Sequence, residues 1–411
     1  MLSPKAPLLR DVLEEHLEEL AFLWALRREG LSSPELTRQD LARFDARIEA
    51  HADGLALARG DLFDLVAPGL ASDDASAAFA AAFPLLGSGR DGARAVLDAF
   101  VASGGEGRAG LAEALGHGPS RETREELGTL AASADAGLAL AAATALALQR
   151  APGAPARLEE RLAGDADPAV RAAAWRLALL LGEAPRPELV ARGLADPDPA
   201  VALEAVEAAA WFSLPAALEA CRARARSEGE DNAEWLRLLA ILGDAPDLSF
   251  LLSAAADRGP SNRGATGPRM LGVLGHPRGV DSLLGMMGDD PARAAAAGAA
   301  FLKVTGFDAA GPERTAVRDA EGSAVELEEE LLDEVTLPDT DAARAFWSSA
   351  RGAFAGGTRW CHGRDVSDGC PGELPPELDM ESRWEVRLRG RFTGSWKGDA
   401  AGLWRMAPVQ D

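Results

Sequence analysis

The chain has 411 residues and a formal net charge of −23, from 42 basic and 65 acidic side chains. This length exceeds one compact core of about 100–200 residues, so several domains or one elongated array are expected. The negative charge opposes attraction to phosphate backbones and anionic lipids, which argues against nucleic acid and membranes as partners. Three cysteines, Cys221, Cys361 and Cys370, are too few for a disulfide framework, which agrees with a reducing compartment.

The first predicted element is an amphipathic helix from Leu8 to Glu29, with Gly30 as a candidate C-cap. Its apolar face is formed by Leu9, Val12, Leu13, Leu17, Leu20, Leu23, Trp24 and Leu26. Charged residues between Arg10 and Glu19 interrupt any export signal, and no apolar run reaches the ~20 residues of a membrane span, so we expect a soluble cytoplasmic protein. A second helix is predicted to open at Ser33-Pro34-Glu35. Residues 1–60 therefore form a helical cap or a dedicated partner surface.

An internal repeat organises the next part of the chain. Asp167-Pro168-Ala169-Val170 opens a run rich in Ala and Leu, and Asp198-Pro199-Ala200-Val201 opens a similar run 31 residues later. A fixed period of about 20–50 residues is typical of stacked-repeat proteins. Asp before Pro suits a helix start, because the carboxylate accepts free backbone N–H groups and Pro has a preset φ. Asp167 and Asp198 are thus predicted to be helix caps, not ligands or catalytic acids.

Further units recur at nearly the same spacing. Leu274-Gly275-His276-Pro277 repeats the turn of Leu242-Gly243-Asp244-Ala245 after 32 residues, and Asp290-Pro291 opens one more helix. We expect helical pairs across residues 61–306, each burying its apolar face against its neighbours.

The composition changes after residue 306. Residues 307–370 are predicted to contain a loop at Gly311–Gly322, an acidic segment at Val325–Val335 and a short helix at Asp341–Phe354. Residues 371–411 form an irregular tail rich in Trp and Arg. In this tail, Trp384–Arg389 alternates apolar and charged residues, which is a strand pattern.

Asp167, Pro168, Val170 and Arg171 resemble the Asp-Pro-x-Val-Arg signature of HEAT-like repeats. More narrowly, the segment from Leu274 to Asp308 resembles an uncharacterised proteobacterial HEAT-repeat family that is often encoded near type VI secretion genes. The resemblance covers roughly Leu8 to Arg364 and fades after Pro371. It implies an all-α fold, an α-solenoid of stacked HEAT-like helix pairs, here with a small irregular or β-containing C-terminal tail.

Few residues suggest a chemical site. Cys361, His362 and Cys370 offer three metal ligands, but a structural zinc site normally needs four at close spacing, so free thiols in a loop are favoured. His276 precedes Pro277 and is expected to be a turn or capping residue. Gly259–Gly267 is read as an inter-helix loop because it matches no phosphate-binding pattern. The aromatic residues of the tail, Trp384, Phe392 and Trp396, are expected to pack on the last repeat rather than to stack on single-stranded nucleic acid.

The sequence therefore predicts no catalytic, cofactor-binding or metal-binding residues. Repeats without a catalytic constellation favour a non-enzymatic scaffold that binds another protein, and the acidic charge favours a partner with a basic patch. One alternative is an enzyme or enzyme subunit of the HEAT-like lyase kind. Another, implied by the resemblance, is a type VI secretion-associated accessory or immunity protein.

Overall fold

The computed structural model describes residues 10–58, 61–119, 121–152, 154, 157–227, 232–257, 265–316 and 334–406. The chain divides into two compact units. Unit 1 comprises Met1–Ala208, Pro375–Glu381 and Gly398–Asp411, and unit 2 comprises Ala209–Leu374 and Ser382–Lys397. The division into four segments expected from the sequence remains a prediction.

Helices dominate the described residues. In chain order they are α1 (Arg10–Gly30), α2 (Arg38–Ala56), α3 (Leu62–Leu70), α4 (Ala75–Leu86), α5 (Arg90–Ala102), α6 (Gly105–His117), α7 (Arg124–Ala131), α8 (Ala136–Leu148), α9 (Leu158–Leu162), α10 (Pro168–Leu181), α11 (Pro187–Leu194), α12 (Pro199–Trp211), α13 (Ala216–Arg224), α14 (Asn232–Leu242), α15 (Leu248–Ala256), α16 (Thr266–Leu274), α17 (Pro277–Met286), α18 (Pro291–Thr305), α19 (Thr340–Ala350), α20 (Met380–Thr393) and α21 (Ala401–Trp404). Two short antiparallel hairpins pair β1 (Ala310–Ala316) with β2 (Glu334–Pro338) and β3 (Trp360–Cys361) with β4 (Arg364–Asp365).

Unit 1 is built from stacked helical pairs. Helices α4, α6, α8 and α10 form one row, and α3, α5, α7 and α9 each pack against the next helix of that row. The row is rich in Ala, so its helices approach closely. At Gly110 a Cβ atom would lie 2.0 Å from the carbonyl oxygen of Ala75, so only Gly fits between α6 and α4.

Aspartates open the repeated helices, as the sequence predicts. The Oδ1 atom of Asp167 accepts the N–H of Ala169 at 2.9 Å, and that of Asp198 accepts the N–H of Ala200 at 2.9 Å. Asp290 caps α18 in the same way by accepting the N–H of Arg293. The cap assignments of Asp167 and Asp198 are confirmed.

Arg171, the basic residue of the repeat signature, joins one copy to the next. Its guanidinium donates to both carboxylate oxygens of Asp196 at 2.9 Å and also to the carbonyl oxygen of Asp165 at 3.1 Å. The second copy has Ala202 at the corresponding position and cannot repeat this contact.

Unit 2 has the same organisation. Helices α14, α16 and α18 form a row, and α13, α15 and α17 pack against them in turn. Together the two units confirm the predicted all-α class with stacked helical pairs and a small amount of β-structure. The predicted loop at Gly311–Gly322 is wrong at its start, because β1 pairs there with β2 and the hairpin packs on α18. Most of the predicted acidic segment lies outside the described residues.

The predicted strand at Trp384–Arg389 is wrong, because these residues lie within α20. The alternating pattern indicates a strand only if the charged residues face solvent. Here Glu385 and Arg387 are buried together with Val386 and Leu388, so burial does not follow a period of two. Arg387 and Arg389 of α20 donate to backbone carbonyl oxygens, and Glu385 contacts Lys303.

The N-terminal predictions need two smaller corrections. Helix α2 begins at Arg38 rather than near Ser33, because Thr37 and Asp40 form a capping box. Val12, expected on the buried face of α1, is 41% exposed.

Candidate functional site

The outward face of α1 is the most distinctive exposed surface of unit 1. Asp11, Glu15, Glu18 and Phe22 are all exposed and follow one another at i, i+4, i+7 and i+11, so they form a single stripe along the helix. The side chain of Phe22 is 57% exposed. No ion pair joins Asp11, Glu15 or Glu18 to another side chain in the described part of the chain.

Two other carboxylates of α1 are paired. Arg10 contacts Glu14 at 2.8 Å, and Glu19 contacts Arg47 of α2 at 3.4 Å. Among the residues that the structure describes, the three carboxylates of the stripe remain without a counter-ion. Like charges three or four residues apart destabilise a helix by about 0.2–0.5 kcal/mol per pair. Asp11 lies in the first turn, where the helix dipole favours a carboxylate, so the stability of α1 explains Asp11 but not Glu15 and Glu18.

The opposite face of α1 is held rigidly in unit 1. The indole ring of Trp24 stacks on Phe79 of α4 at 3.5 Å, and its Nε1 donates to Glu113 of α6 at 2.8 Å. The Nε of Arg27 donates to the carboxylate of Asp45 at 2.5 Å, and both side chains are buried. These contacts fix the direction in which the stripe faces.

Two titratable groups near Trp24 have altered pKa values. Burial raises the pKa of Glu113, while Arg28 opposes that shift. Burial, with Arg27 and Arg405, holds the pKa of His117 well below its usual range. Perturbed pKa values mark candidate active sites, but structural contacts account for these. Glu113 accepts the Trp24 indole, and the Nδ1 atom of His117 accepts the N–H of Met406 at 3.4 Å.

Exposed apolar side chains are concentrated at the start of unit 1. The large apolar side chains that are exposed in the described residues are Val12, Phe22, Leu57, Phe63 and Val101. Phe63 is 49% exposed and lies at the start of α3. The charge of Asp64 contributes to a raised pKa of Arg10, after the larger effect of Glu14, so the starts of α1 and α3 are within electrostatic reach. Val12 lies on α1 and Phe63 on α3, and both helices pack against α4.

A small cavity of about 30 Å³ lies in unit 2, enough for one or two water molecules. Its lining includes Lys303, Arg359, Trp360, Glu385 and Arg389. The Nζ of Lys303 contacts the Oε2 of Glu385 at 2.7 Å, which joins α18 to α20.

The arginines of this cavity bind the carboxyl ends of helices. Arg359 donates to the carbonyl oxygens of Ala240 and Gly243 at 2.5 Å, and Arg389 donates to that of Ile241 at 2.8 Å. Burial holds the pKa of Arg359 well below its usual range and lowers that of Arg389 to about 10. The last carbonyls of a helix are unpaired and carry partial negative charge, so cations are favourable there. These arginines therefore have a structural role, which is to stabilise the carboxyl end of α14.

The aromatic residues of the tail are also used inside unit 2. Trp384 stacks on Trp211 with ring centroids 5.1 Å apart, and Trp396 meets Trp211 edge-on at 5.7 Å. The guanidinium of Arg387 lies 4.4 Å from the ring of Trp396. Trp384 and Trp396 therefore pack on Trp211 of α12, whereas the sequence predicts packing on the last repeat. Trp384 makes this contact from a helix and not from the predicted strand.

The cysteines and histidines singled out in the sequence occupy turns and caps. Cys361 ends β3, and His362 and Gly363 form the two-residue turn to β4 with φ values of 46° and 73°. Burial raises the pKa of the Cys370 thiol. His276 caps α17, since its Nδ1 accepts the N–H of Arg278 at 3.1 Å, which confirms its predicted role. Most of Gly259–Gly267 lies outside the described residues.

Within the described ranges, no three His, Cys, Asp or Glu side chains are grouped so that they could hold a metal ion. None of the described helices has the length and apolar character needed to cross a bilayer. The prediction that Cys361, His362 and Cys370 bind no metal remains a prediction.

Sequence reasoning missed the stripe on α1, although it noted the acidic residues. The available signal was Phe22, an aromatic residue that lies off the apolar face of an otherwise regular amphipathic helix.

No protein-family model matches the chain, and no curated protein matches it at a significant level. Among solved structures, the chain is similar to an engineered protein from the Northeast Structural Genomics Consortium, with 15% identity, a TM-score of 0.31, and coverage of 92% of this chain and 98% of that one. A likeness at this TM-score carries no argument about fold or function.

Proposed function

We propose that this protein is a non-enzymatic scaffold that binds another protein through the first helices of unit 1. The supporting observation is the concentration of exposed Val12, Phe22, Leu57, Phe63 and Val101 in that region. Exposed apolar surface of this kind favours protein association when the side chains lie on neighbouring elements. The stacked pairs provide a rigid support for these side chains.

The partner carries a basic patch, and the protein acts in the cytoplasm. The basic patch would complement the net charge of −23 and the acidic surface of α1. The small number of cysteines agrees with a reducing compartment such as the cytoplasm. The HEAT-like resemblance implies the same kind of role. A secretion-linked role is a further proposal that rests on the resemblance, and deleting the gene and assaying secretion would test it.

Affinity purification from the native host tests the proposed function. We expect the full-length protein to retain a specific protein partner at physiological salt. The F22S/F63S variant should lose it, because a hydroxyl group replaces each phenyl ring. A Gln39→Ala variant, changed at an exposed polar position of α2, serves as the matched control and retains the partner. Absence of any specific partner on the unchanged protein would refute the scaffold proposal.

A further inference from the structure

We infer that the outward face of α1 docks a basic amphipathic helix of the partner protein, an inference that rests on the proposed function. The docking face consists of Asp11, Glu15, Glu18 and Phe22, with Val12 beside it. Its four main residues lie on one line about 16 Å long, given a rise of ~1.5 Å per residue. A facing helix presents side chains at the same spacing, so the two lines can match along their length.

The charge of the face selects the partner. Three carboxylates on the line have no counter-ion among the described residues, and they lie close enough to repel one another. Lysine or arginine residues at i, i+4 and i+7 of the incoming helix relieve that repulsion. Nucleic acid and anionic lipid are disfavoured by the same charges.

Phe22 provides an apolar contact, which the charged residues of the face cannot provide. Exposed ion pairs contribute little affinity because they remain solvated, so a stable complex needs an apolar contact that is removed from water. Phe22 ends the acidic line and is more than half exposed, which places an aromatic anchor at one end of the docking face. The acidic residues then set the direction and register of the partner, and the ring provides much of the binding energy.

The face is also presented as a preformed surface. Trp24, Leu20 and Leu23, on the other side of α1, are almost fully buried in unit 1. Helix α1 therefore need not fold or rotate when the partner arrives, which limits the entropic cost of binding.

The test uses the full chain and two synthetic 18-residue peptides of identical composition. The ordered peptide places three Lys and one Leu to face Asp11, Glu15, Glu18 and Phe22, and the scrambled peptide disperses them around the helix. We expect the ordered peptide to bind at least about tenfold more tightly by fluorescence anisotropy. E15K/E18K and F22S should each weaken its binding by about tenfold or more.

The control variant E219K/E313K changes the net charge by the same amount at exposed positions of unit 2 and should leave the affinity of the ordered peptide unchanged. Equal weakening by this variant, or equal binding of both peptides, would overturn the inference, because attraction would then depend on net charge alone. Circular dichroism should find all variants folded, because every changed side chain is exposed in the structure.

Affinity purification from the host, with the unchanged protein and with E15K/E18K, tests the docking face and the scaffold proposal separately. If E15K/E18K still captures the partner that the unchanged protein captures, the scaffold proposal stands and the docking face is wrong. If the unchanged protein captures none, the scaffold proposal fails, whereas selective binding of the ordered peptide would still support the docking face.

Discussion

At the scale of single residues, the contribution of a carboxylate to stability depends on the groups that surround it. Asp167 is exposed and accepts a backbone N–H at the start of α10. Asp196 is bound by Arg171, and this hydrogen-bonded contact lowers its pKa. Glu204 of α12 is largely buried, and burial raises its pKa to about 7 despite the opposing charge of Arg176. A carboxylate therefore stabilises the fold where it has a hydrogen-bond or ion-pair partner, and it destabilises the fold where burial opposes its ionisation.

Replacing Asp167 with Ala should lower the free energy of unfolding by about 0.5–2 kcal/mol, because the first N–H groups of α10 lose their acceptor. Urea unfolding monitored by circular dichroism would measure this change, with Gln39→Ala as a control at an exposed helical position. Binding of a partner should be unaffected. Loss of binding without any change in stability would contradict the capping role.

Glu204 predicts a pH dependence of stability. Its pKa rises from 4.5 to about 7 in the folded chain, so the folded state favours the protonated form. Stability from this group is fully present below pH 4.5 and is lost as the pH rises through about 7. Glu204→Gln removes the ionised state. It should stabilise the protein by about 1–3 kcal/mol at pH 8, with little effect at pH 4.5.

Melting temperatures of Glu204→Gln and the unchanged protein, measured between pH 4.5 and pH 8, would check this. Glu188→Gln, at an exposed position of α11, controls for the loss of one surface charge. A constant difference across the pH range would contradict the assignment to burial.

At the scale of elements, the sequence predicts well those helices whose start and stop signals are local. Helix α10 runs from Pro168 to Leu181 as expected, because Asp167, Pro168 and Gly182 define both ends. Helix α20 was not predictable in this way. Its charged residues contact partners distant in sequence, such as Arg389 with Ile241, and a local pattern carries no information about them.

The same reasoning applies to the candidate site. The acidic residues of α1 and the apolar periodicity are visible in the sequence, so a partner surface at residues 1–60 could be proposed. Which residues are exposed depends on the packing of α1 against α2 and α4. For this reason the sequence predicts Val12 on the wrong side of α1, whereas the position of Phe22 off the apolar face agrees with its exposure.

Arg359 should stabilise the carboxyl end of α14. It is 7% exposed and donates to carbonyl oxygens of Ala240, Gly243 and Leu274. Arg359→Met removes this donor from the carbonyl oxygens of Ala240 and Leu274, while that of Gly243 keeps Arg389 at 3.1 Å, and the change should cost about 2–5 kcal/mol. Arg359→Lys should rescue the loss only in part, because an ammonium group lacks the planar fork that reaches several carbonyls.

Hydrogen exchange with mass spectrometry would locate the effect, and we expect faster exchange in α14 and α16. Arg364→Met, an exposed arginine of β4, is the matched control and should leave exchange unchanged. Unchanged exchange in Arg359→Met would mean that water replaces the guanidinium at little cost.

At the scale of the whole molecule, the tail is an integral part of both units. In unit 1, the N–H of Met380 donates to the carbonyl oxygen of Leu36 at 2.9 Å, and Arg27 donates to that of Trp404 at 3.0 Å. In unit 2, Arg389 and Arg391 bind carbonyl oxygens at the ends of α14 and α12. The Trp- and Arg-rich composition follows from these tasks, since Arg suits helix carboxyl ends and Trp fills the space between helices.

A chain that ends at Cys370 should therefore lose structure well before its own end. Removing the tail takes Trp384 from the face of Trp211 and Glu385 from Lys303, and it leaves the carbonyls at the end of α14 without Arg389. We expect a lower melting temperature, together with faster hydrogen exchange at the ends of α12 and α14. A chain that ends at Met406 retains all these contacts and should match the full-length protein. If the chain ending at Cys370 keeps native exchange rates in α14, then the tail is an appendage, and its arginines and tryptophans do not stabilise the repeats.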